Sequence, residues 1–274
     1  MRDTRVKVAV FAGATLASGW VGVGLNRVLG ETDSMNSPGT LVWILTPSAT
    51  SLALTVTDPK LRTAMRRSWA PGSIRTYLPA ALVFPAAAGA TVLTGRALGW
   101  IDLSGLQVKE LASTMSREAP GAVVKNVAEE AAWRGWLTPR LEELGLPDPA
   151  VWLLSGLVWS LWHLPYYLFF LDRETVRQFW DVPRAVFAGA ATVTMIAWSI
   201  PYTELRRLDG SLWPSVLMHA TEDLTQIPLA TGGHATIRRG REWLISPTVG
   251  LVSSALIAGA GLAIRALRNR TRGA

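Results

Sequence analysis

Long stretches without a charged residue constrain this chain more than any other feature of its sequence. Six runs of at least 19 residues contain no Asp, Glu, Lys or Arg. They are Val8–Asn26, Ser34–Thr57, Tyr77–Gly95, Pro149–Leu171, Ala185–Thr203 and Trp243–Ile264. Because a helix needs about 20 apolar residues to cross a bilayer, these runs predict a polytopic helical membrane protein. They exclude a soluble globular enzyme, a disordered chain and a nucleic-acid-binding domain.

Two further segments are long enough to span a membrane although they carry charged residues. Gly121–Leu141 and Leu212–Leu229 are otherwise apolar. With them, the prediction is an all-α bundle of about eight transmembrane helices with a buried polar site. We find no internal repeat and no low-complexity linker, so residues 1–274 are predicted to form a single integral membrane domain. Ser104–Ala119 mixes apolar and charged residues and is expected to form an amphipathic helix on the membrane surface.

The basic residues predict how the chain lies in the membrane. Lys and Arg number 27 against 20 Asp and Glu, and in membrane proteins such residues set topology and contact anionic lipid. They cluster before the first span, between spans two and three, and after the last span. We expect a multi-pass protein of the inner or plasma membrane with cytoplasmic N- and C-termini. Its expected partners are membrane lipid and a peptide or protein substrate, and not nucleic acid.

The fourth predicted span contains two acids and a base. Each charged residue costs roughly 2.5–3.5 kcal/mol to place at the centre of a spanning helix, so it needs a partner or a function. Arg134 follows Glu130 by four residues, which allows the two side chains to pair on one helix face. Glu129 points about 100° away from Glu130 and can face the interior of the bundle. An ion pair that only fixes helix packing is the simpler alternative.

Two other spans place histidines at a similar depth. His163 lies in the fifth span, and His219 and Asp223 share one face of the seventh. At 1.5 Å per residue, these three and Glu129 agree in depth to about one helical turn, so we expect them to meet in one pocket. Such groups can activate water and hold an oxyanion, or bind zinc. The simpler alternative is a His–Asp hydrogen bond that stabilises the helix. His234, in a loop, is expected to be solvated.

Three motifs in this order resemble those of the CPBP intramembrane proteases. These are bacterial relatives of the type II CAAX prenyl endopeptidase, also called abortive-infection proteins. The motifs are Glu129-Glu130-x-x-x-Arg134, Trp159-x-x-x-His163 and His219-x-x-x-Asp223. The likeness is strongest over residues 121–229, which we expect to be the family core. It implies an all-helical bundle that cuts peptide bonds at a polar site inside the membrane.

The resemblance also implies roles for four residues. Glu129 would be the base that activates water, and His163 would help to hold that water. His219 and Asp223 would stabilise the oxyanion. The same four side chains are the candidate ligands if the enzyme uses zinc, although a glutamate-dependent mechanism without metal is the first choice. The chain has no cysteine, which excludes a thiol nucleophile and a cysteine-ligated metal.

Three more residues would support the site by the same resemblance. Glu130 and Arg134 would orient it, and Trp159 stands where the family usually has Phe. Asp223 stands where Asn is most common, and an ionised Asp would repel an oxyanion. Asp223 is therefore expected to be protonated, to hold His219 or to favour a metal.

The leading hypothesis is an intramembrane endopeptidase that cuts a membrane-associated or lipidated substrate with glutamate-activated water. Two alternatives belong to other classes of protein. One is a catalytically silent immunity or scaffold protein that uses the same pocket for binding. The other is a proton-coupled transporter, and the lack of internal repeats counts against it.

Overall fold

The computed structural model describes residues 2–273, which are mostly helical. In chain order the elements are α1 (Arg2–Leu29), α2 (Pro38–Val56), α3 (Pro59–Ser68), α4 (Ile74–Ala97), β1 (Ile101–Asp102), α5 (Val108–Glu130), a π-helical segment (Ala131–Leu137), α6 (Thr138–Glu142), α7 (Asp148–Trp162), a second π-helical segment (Tyr166–Phe170), α8 (Arg173–Phe179), α9 (Arg184–Asp209), α10 (Trp213–Thr231), β2 (Thr236–Ile237), α11 (Glu242–Ile245) and α12 (Leu251–Gly273). The two short strands pair antiparallel. The predicted all-α fold is confirmed.

Each of the eight predicted spans overlaps one of the longer helices, namely α1, α2, α4, α5, α7, α9, α10 and α12. The spans predicted at 121–141, 149–171 and 243–264 also include residues outside α5, α7 and α12, respectively. Within residues 2–273, five helices are long and apolar enough to cross a membrane: α1, α2, α4, α9 and α12. The multi-pass bundle is therefore confirmed. For α5 and α10, which carry charged residues, and for α7, which has 15 residues, membrane crossing stays a prediction.

Local sequence signals explain several helix boundaries. The Asp58 carboxylate accepts backbone N–H bonds from the first turn of α3, and the Ser73 hydroxyl accepts one from the first turn of α4. Asp172 caps α8 in the same way. These side chains satisfy donors that have no partner inside a helix. Gly210 ends α9 in the left-handed conformation at φ 81°, which is unstrained only for glycine.

Small residues allow the helices of the bundle to cross closely. A Cβ atom on Gly22 of α1 would lie 2.2 Å from the carbonyl oxygen of Gly39 in α2. Gly156 of α7 meets α9, and Gly261 of α12 meets Pro201 of α9, at similarly short range. Because apolar side chains gain little by leaving lipid for another helix, such close backbone contact is a main source of association between membrane helices.

Two expectations about local structure are wrong. The segment 104–119 is not a separate surface helix, because α5 begins at Val108 and continues unbroken through Pro120 to Glu130. His234 is not solvated: it is buried, and its Nδ1 accepts a hydrogen bond from the backbone N–H of Gln107 at 3.4 Å. Pairing of the 101–102 and 236–237 strands folds the two loops over each other and encloses this imidazole.

Candidate active site

Three helices bring six acidic, basic or imidazole side chains to one cavity of about 180 Å³. They are Lys125 and Glu129 of α5, His163 at the end of α7, and His219, Glu222 and Asp223 of α10. The remaining wall is largely aromatic and apolar, with Trp43, Tyr166, Tyr167 and Trp198 among its residues. The four residues assigned catalytic roles from the sequence thus line a common space. A mostly apolar pocket with a few convergent polar groups is typical of a binding or catalytic site.

The adjacent glutamates of α5 have different surroundings. Glu130 is fully buried, and its Oε1 accepts hydrogen bonds from Arg134 Nη1 and from His219 Nδ1, each at 2.8 Å. Glu129 lines the cavity and has only long contacts, from Trp133 Nε1 at 3.5 Å and Lys125 Nζ at 3.9 Å. Glu129 is therefore the carboxylate with acceptor capacity left for a molecule in the cavity.

The imidazole of His219 is oriented at Nδ1 by Glu130, whereas the simpler alternative from the sequence was a hydrogen bond to Asp223. Because a carboxylate only accepts, the Nδ1 atom bonded to Glu130 carries the proton. The neutral ring then offers an unprotonated Nε2, and the imidazolium offers an Nε2–H donor. His219 is also edge-on to the rings of Trp159 and Tyr202, at centroid distances of 5.7 Å. These contacts hold the ring in one orientation.

His163 has a comparable arrangement on the opposite wall. Its Nδ1 lies 2.9 Å from the carbonyl oxygen of Trp159, which again places the proton on Nδ1 and leaves Nε2 as the acceptor of the neutral ring. The ring stacks on Tyr167 at 5.8 Å and meets the edge of Trp162 at 4.5 Å. An aromatic frame of this kind fixes the direction in which Nε2 points.

Arg134 supports the site from behind the cavity. Its side chain is fully buried, pairs with Glu130, and places its guanidinium 4.5 Å from the ring centre of Trp159 and 4.0 Å from that of Tyr202. Cation–π contacts without water stabilise a buried guanidinium by about 2 kcal/mol. Arg134 and Trp159 thus lie around the Glu130–His219 pair. Of the three residues predicted to support the site, Trp159 lines the cavity, whereas Glu130 and Arg134 lie behind it.

Asp223 contacts two residues of α5. Its Oδ2 accepts a hydrogen bond from Asn126 Nδ2 at 2.9 Å and lies 2.9 Å from Lys125 Nζ. The carboxylate is thus paired with the ammonium group of a lysine, a partner that was not expected. Protonation of Asp223 and metal binding by it stay predictions.

The donors do not fit a zinc ion bound by the four predicted ligands. Within residues 2–273, one group of side chains places its ligand atoms within 4.8 Å of one another: His219, Glu222 and Asp223. Zinc does accept imidazole and carboxylate ligands. However, Asp223 already holds the Lys125 ammonium, and Glu222 Oε2 accepts from Tyr202 at 2.5 Å. A dication at this place would lie beside a fixed positive charge.

The backbone hydrogen bonding changes from α-helical to π-helical shortly after Glu130 and shortly after His163. Directly after Glu130 the chain forms a π-helical turn, in which Thr138 N–H bonds the carbonyl of Trp133. The freed carbonyl of Arg134 accepts from Arg206 Nε at 2.9 Å. A second π-helical segment follows His163, from Tyr166 to Phe170. Such turns are rare and occur frequently at functional sites.

A comparison with known protein families matches part of this region. Residues 119–225 match the family described as type II CAAX prenyl endopeptidase Rce1-like. This segment is similar to that family. The match confirms the predicted relationship to the CPBP proteases, and it includes all seven residues of the three motifs. The family is one of polytopic membrane proteases. No curated protein matches the chain.

Within this Rce1-like segment, sequence reasoning missed four residues that contact the site. Lys125 and Asn126 contact Asp223, and Glu222 with Tyr202 forms a further wall. Lys125 could have been found, because it precedes Glu129 by four residues and therefore shares its face. Glu222 lies three residues from His219 and was expected to share its face less well. Tyr202 carries no signal, because it reaches the site from a different helix.

Proposed function

We propose that the protein is an intramembrane endopeptidase, in which Glu129 activates a water molecule to hydrolyse a peptide bond. The observation that carries this proposal is the difference between two neighbouring glutamates. Glu130 lies outside the cavity lining, and its Oε1 is held by Arg134 and His219, whereas Glu129 lines the cavity with only long contacts. A general base must be within reach of its water and free to accept a proton, and Glu129 meets both conditions.

The proposed reaction needs one water molecule and one proton carrier. Glu129 accepts a proton from water while His163 Nε2 accepts a second hydrogen bond from the same molecule. The water oxygen attacks the carbonyl carbon of the substrate, and the carbonyl oxygen becomes an oxyanion on the side of His219. Glu129 then returns its proton to the amide nitrogen, and the carbon–nitrogen bond breaks. The products are a carboxyl group and an amine.

The walls of the cavity favour a substrate with an apolar segment. Aromatic and aliphatic side chains surround the polar groups, among them Trp43, Tyr166, Met195 and Phe187. A lipidated or membrane-embedded peptide would bury its apolar part against these rings, while the scissile bond lies at the carboxylates. We therefore propose a membrane-associated or lipidated protein or peptide as the substrate class, and the inner or plasma membrane as the location.

The test compares new peptide termini in membranes of a bacterial host that expresses wild type, Glu129→Gln or Glu118→Gln. Glu129→Gln keeps the size of the side chain but removes the base. Glu118→Gln is the matched control, since Glu118 lies exposed on the same helix. We expect termini that appear with wild type and Glu118→Gln but not with Glu129→Gln. Their sequences would also identify the substrate.

One outcome would overturn the proposal. If all three proteins are folded and equally abundant and yield the same termini, the cavity does not act as a peptidase. The silent binding protein would then be the better hypothesis. Glu129-dependent cleavage is the cleavage whose new termini appear with wild type but not with Glu129→Gln.

A further inference from the structure

We propose that Lys125 is a positioning residue of this site, whose ammonium group compensates the charge of Asp223 so that negative charge can develop on the substrate. The inference rests on the proposed peptidase function. Lys125 belongs to none of the three motifs, and it precedes Glu129 by one helical turn on α5.

The contacts place Lys125 between two carboxylates of different helices. Its Nζ lies 2.9 Å from Asp223 Oδ2 on α10 and 3.9 Å from Glu129 Oε1 on α5. Asn126 donates a second hydrogen bond to the same Asp223 oxygen at 2.9 Å. The carboxylates are largely buried, with side-chain exposures of 14% for Asp223 and 9% for Glu129. Partly buried charges of this kind are screened little by salt.

The balance of charge around the cavity explains why such a cation is needed. Glu129, Glu222 and Asp223 all line the cavity, and Lys125 is the only lysine or arginine among its lining residues. Arg134 lies behind the cavity and is paired with Glu130. Without Lys125, an oxyanion beside His219 would face the uncompensated charge of Asp223, and like charges at short range are strongly unfavourable.

A carboxylate cannot itself donate a hydrogen bond to an oxyanion. The side of the cavity formed by α10 can therefore stabilise one only if the Asp223 charge is cancelled. The Lys125–Asp223 pair achieves this electrostatically, and a neutral residue at position 223 would achieve it without the lysine. This equivalence makes the proposal testable by rescue.

The experiment measures Glu129-dependent cleavage of host membrane proteins by five proteins. They are wild type, Lys125→Met, Asp223→Asn, the double variant with both changes, and Lys109→Met. Lys109→Met is the matched control, because Lys109 is exposed near the start of the same helix. We expect Lys125→Met to lower cleavage about 100-fold, as loss of an oxyanion-stabilising group does. The double variant is expected to give at least about tenfold more cleavage than Lys125→Met. Lys109→Met is expected to behave as wild type.

Two results would overturn this role. One is wild-type cleavage by Lys125→Met, and the other is a double variant no more active than Lys125→Met alone. Absence of Glu129-dependent cleavage in wild type is a different outcome, because it defeats the peptidase function itself together with this inference.

A second measurement tests the pairing without using activity. Thermal unfolding in detergent can be followed by Trp fluorescence, since the chain has 13 Trp. We expect Lys125→Met to lower the unfolding midpoint more when residue 223 is Asp than when it is Asn. Strictly additive shifts would show that the two side chains do not interact and would overturn the proposal.

Discussion

The protein has two clusters of charged side chains inside its helical bundle, and they differ in how their charges are satisfied. The first is the cavity cluster, formed by Lys125, Glu129, His219, Glu222 and Asp223. The second, which we call the anchor cluster, joins α6, α7, α9 and α12. It consists of Glu142, Asp148, Glu204, Arg207, Arg265 and Arg268.

In the anchor cluster, guanidinium groups engage the carboxylates at short range. Arg207 Nη1 donates to Asp148 at 2.8 Å and to Glu204 at 2.9 Å. Arg265 Nε and Arg268 Nη2 both donate to Asp148 Oδ2, at 2.6 Å and 2.9 Å. Arginine suits such a network because its planar fork serves several acceptors at once. None of these residues lines the cavity described above.

The comparison shows that charge inside a membrane bundle does not by itself mark a catalytic site. The anchor cluster connects four helices and uses its hydrogen-bonding capacity internally. The cavity cluster combines one ammonium group with one imidazole and three carboxylates, and Glu129 keeps acceptor capacity beside an open space. Unused capacity next to a cavity is what distinguishes the two.

The largest expected effect separates the clusters by activity. Glu129→Gln should lower the yield of the new peptide termini that wild type produces by about 10³-fold, because the general base is lost. Its unfolding midpoint in detergent should stay close to that of wild type, since the long contacts of Glu129 contribute little to stability. A large fall in the unfolding midpoint would show instead that Glu129 stabilises the fold, as we expect of the anchor cluster.

The converse change acts on the anchor cluster. Arg207→Met removes charged hydrogen bonds to Glu142, Asp148 and Glu204. It should destabilise the protein by about 2 kcal/mol, since Arg268 still pairs with Asp148 and Glu204. Denaturation in detergent measures this loss, and Arg67→Met, at an exposed position, serves as the control. Cleavage per folded molecule should not change. A selective loss of cleavage at full stability would contradict the distinction between the clusters.

A change at Arg134 is expected to affect both stability and cleavage. Arg134→Lys keeps the charge but loses the planar contact with Trp159 and Tyr202, so we expect a loss of about 2 kcal/mol in unfolding free energy. Cleavage should fall less than in Glu129→Gln, because Glu130 still orients His219. Arg117→Lys, on an exposed part of α5, should change neither quantity. Equal behaviour of the two variants would show that the cation–π contacts are unimportant.

The smallest expected effect concerns metal. Treatment with EDTA or phenanthroline should leave Glu129-dependent cleavage unchanged, because the Lys125 ammonium already lies against Asp223. The measurement uses the purified full-length protein in proteoliposomes with the substrate identified by its new termini. Loss of cleavage that zinc restores would contradict this expectation and would favour the cluster of His219, Glu222 and Asp223 as the ligands.

Several features of the site follow from local helical geometry. The pairing of Arg134 with Glu130 was predicted from their spacing of four residues, and the structure has it at 2.8 Å. The separation of Glu129 from Glu130 was predicted from the 100° step of the helix. The partner of His219 was not predicted, because sequence spacing offers only acceptors on the same helix, namely Asp223 and, less well, Glu222.

The sequence by itself determined the membrane environment, the positions of the long helices and the residues of the three motifs. Uncharged runs and helical spacing are local properties, and they do not depend on how helices are arranged. Only the tertiary structure decided that Glu130 orients His219 and that Lys125 and Asn126 pair with Asp223. These contacts depend on the rotation of α10 about its axis relative to α5. That rotation results from the packing of all helices together, and no spacing within one helix specifies it.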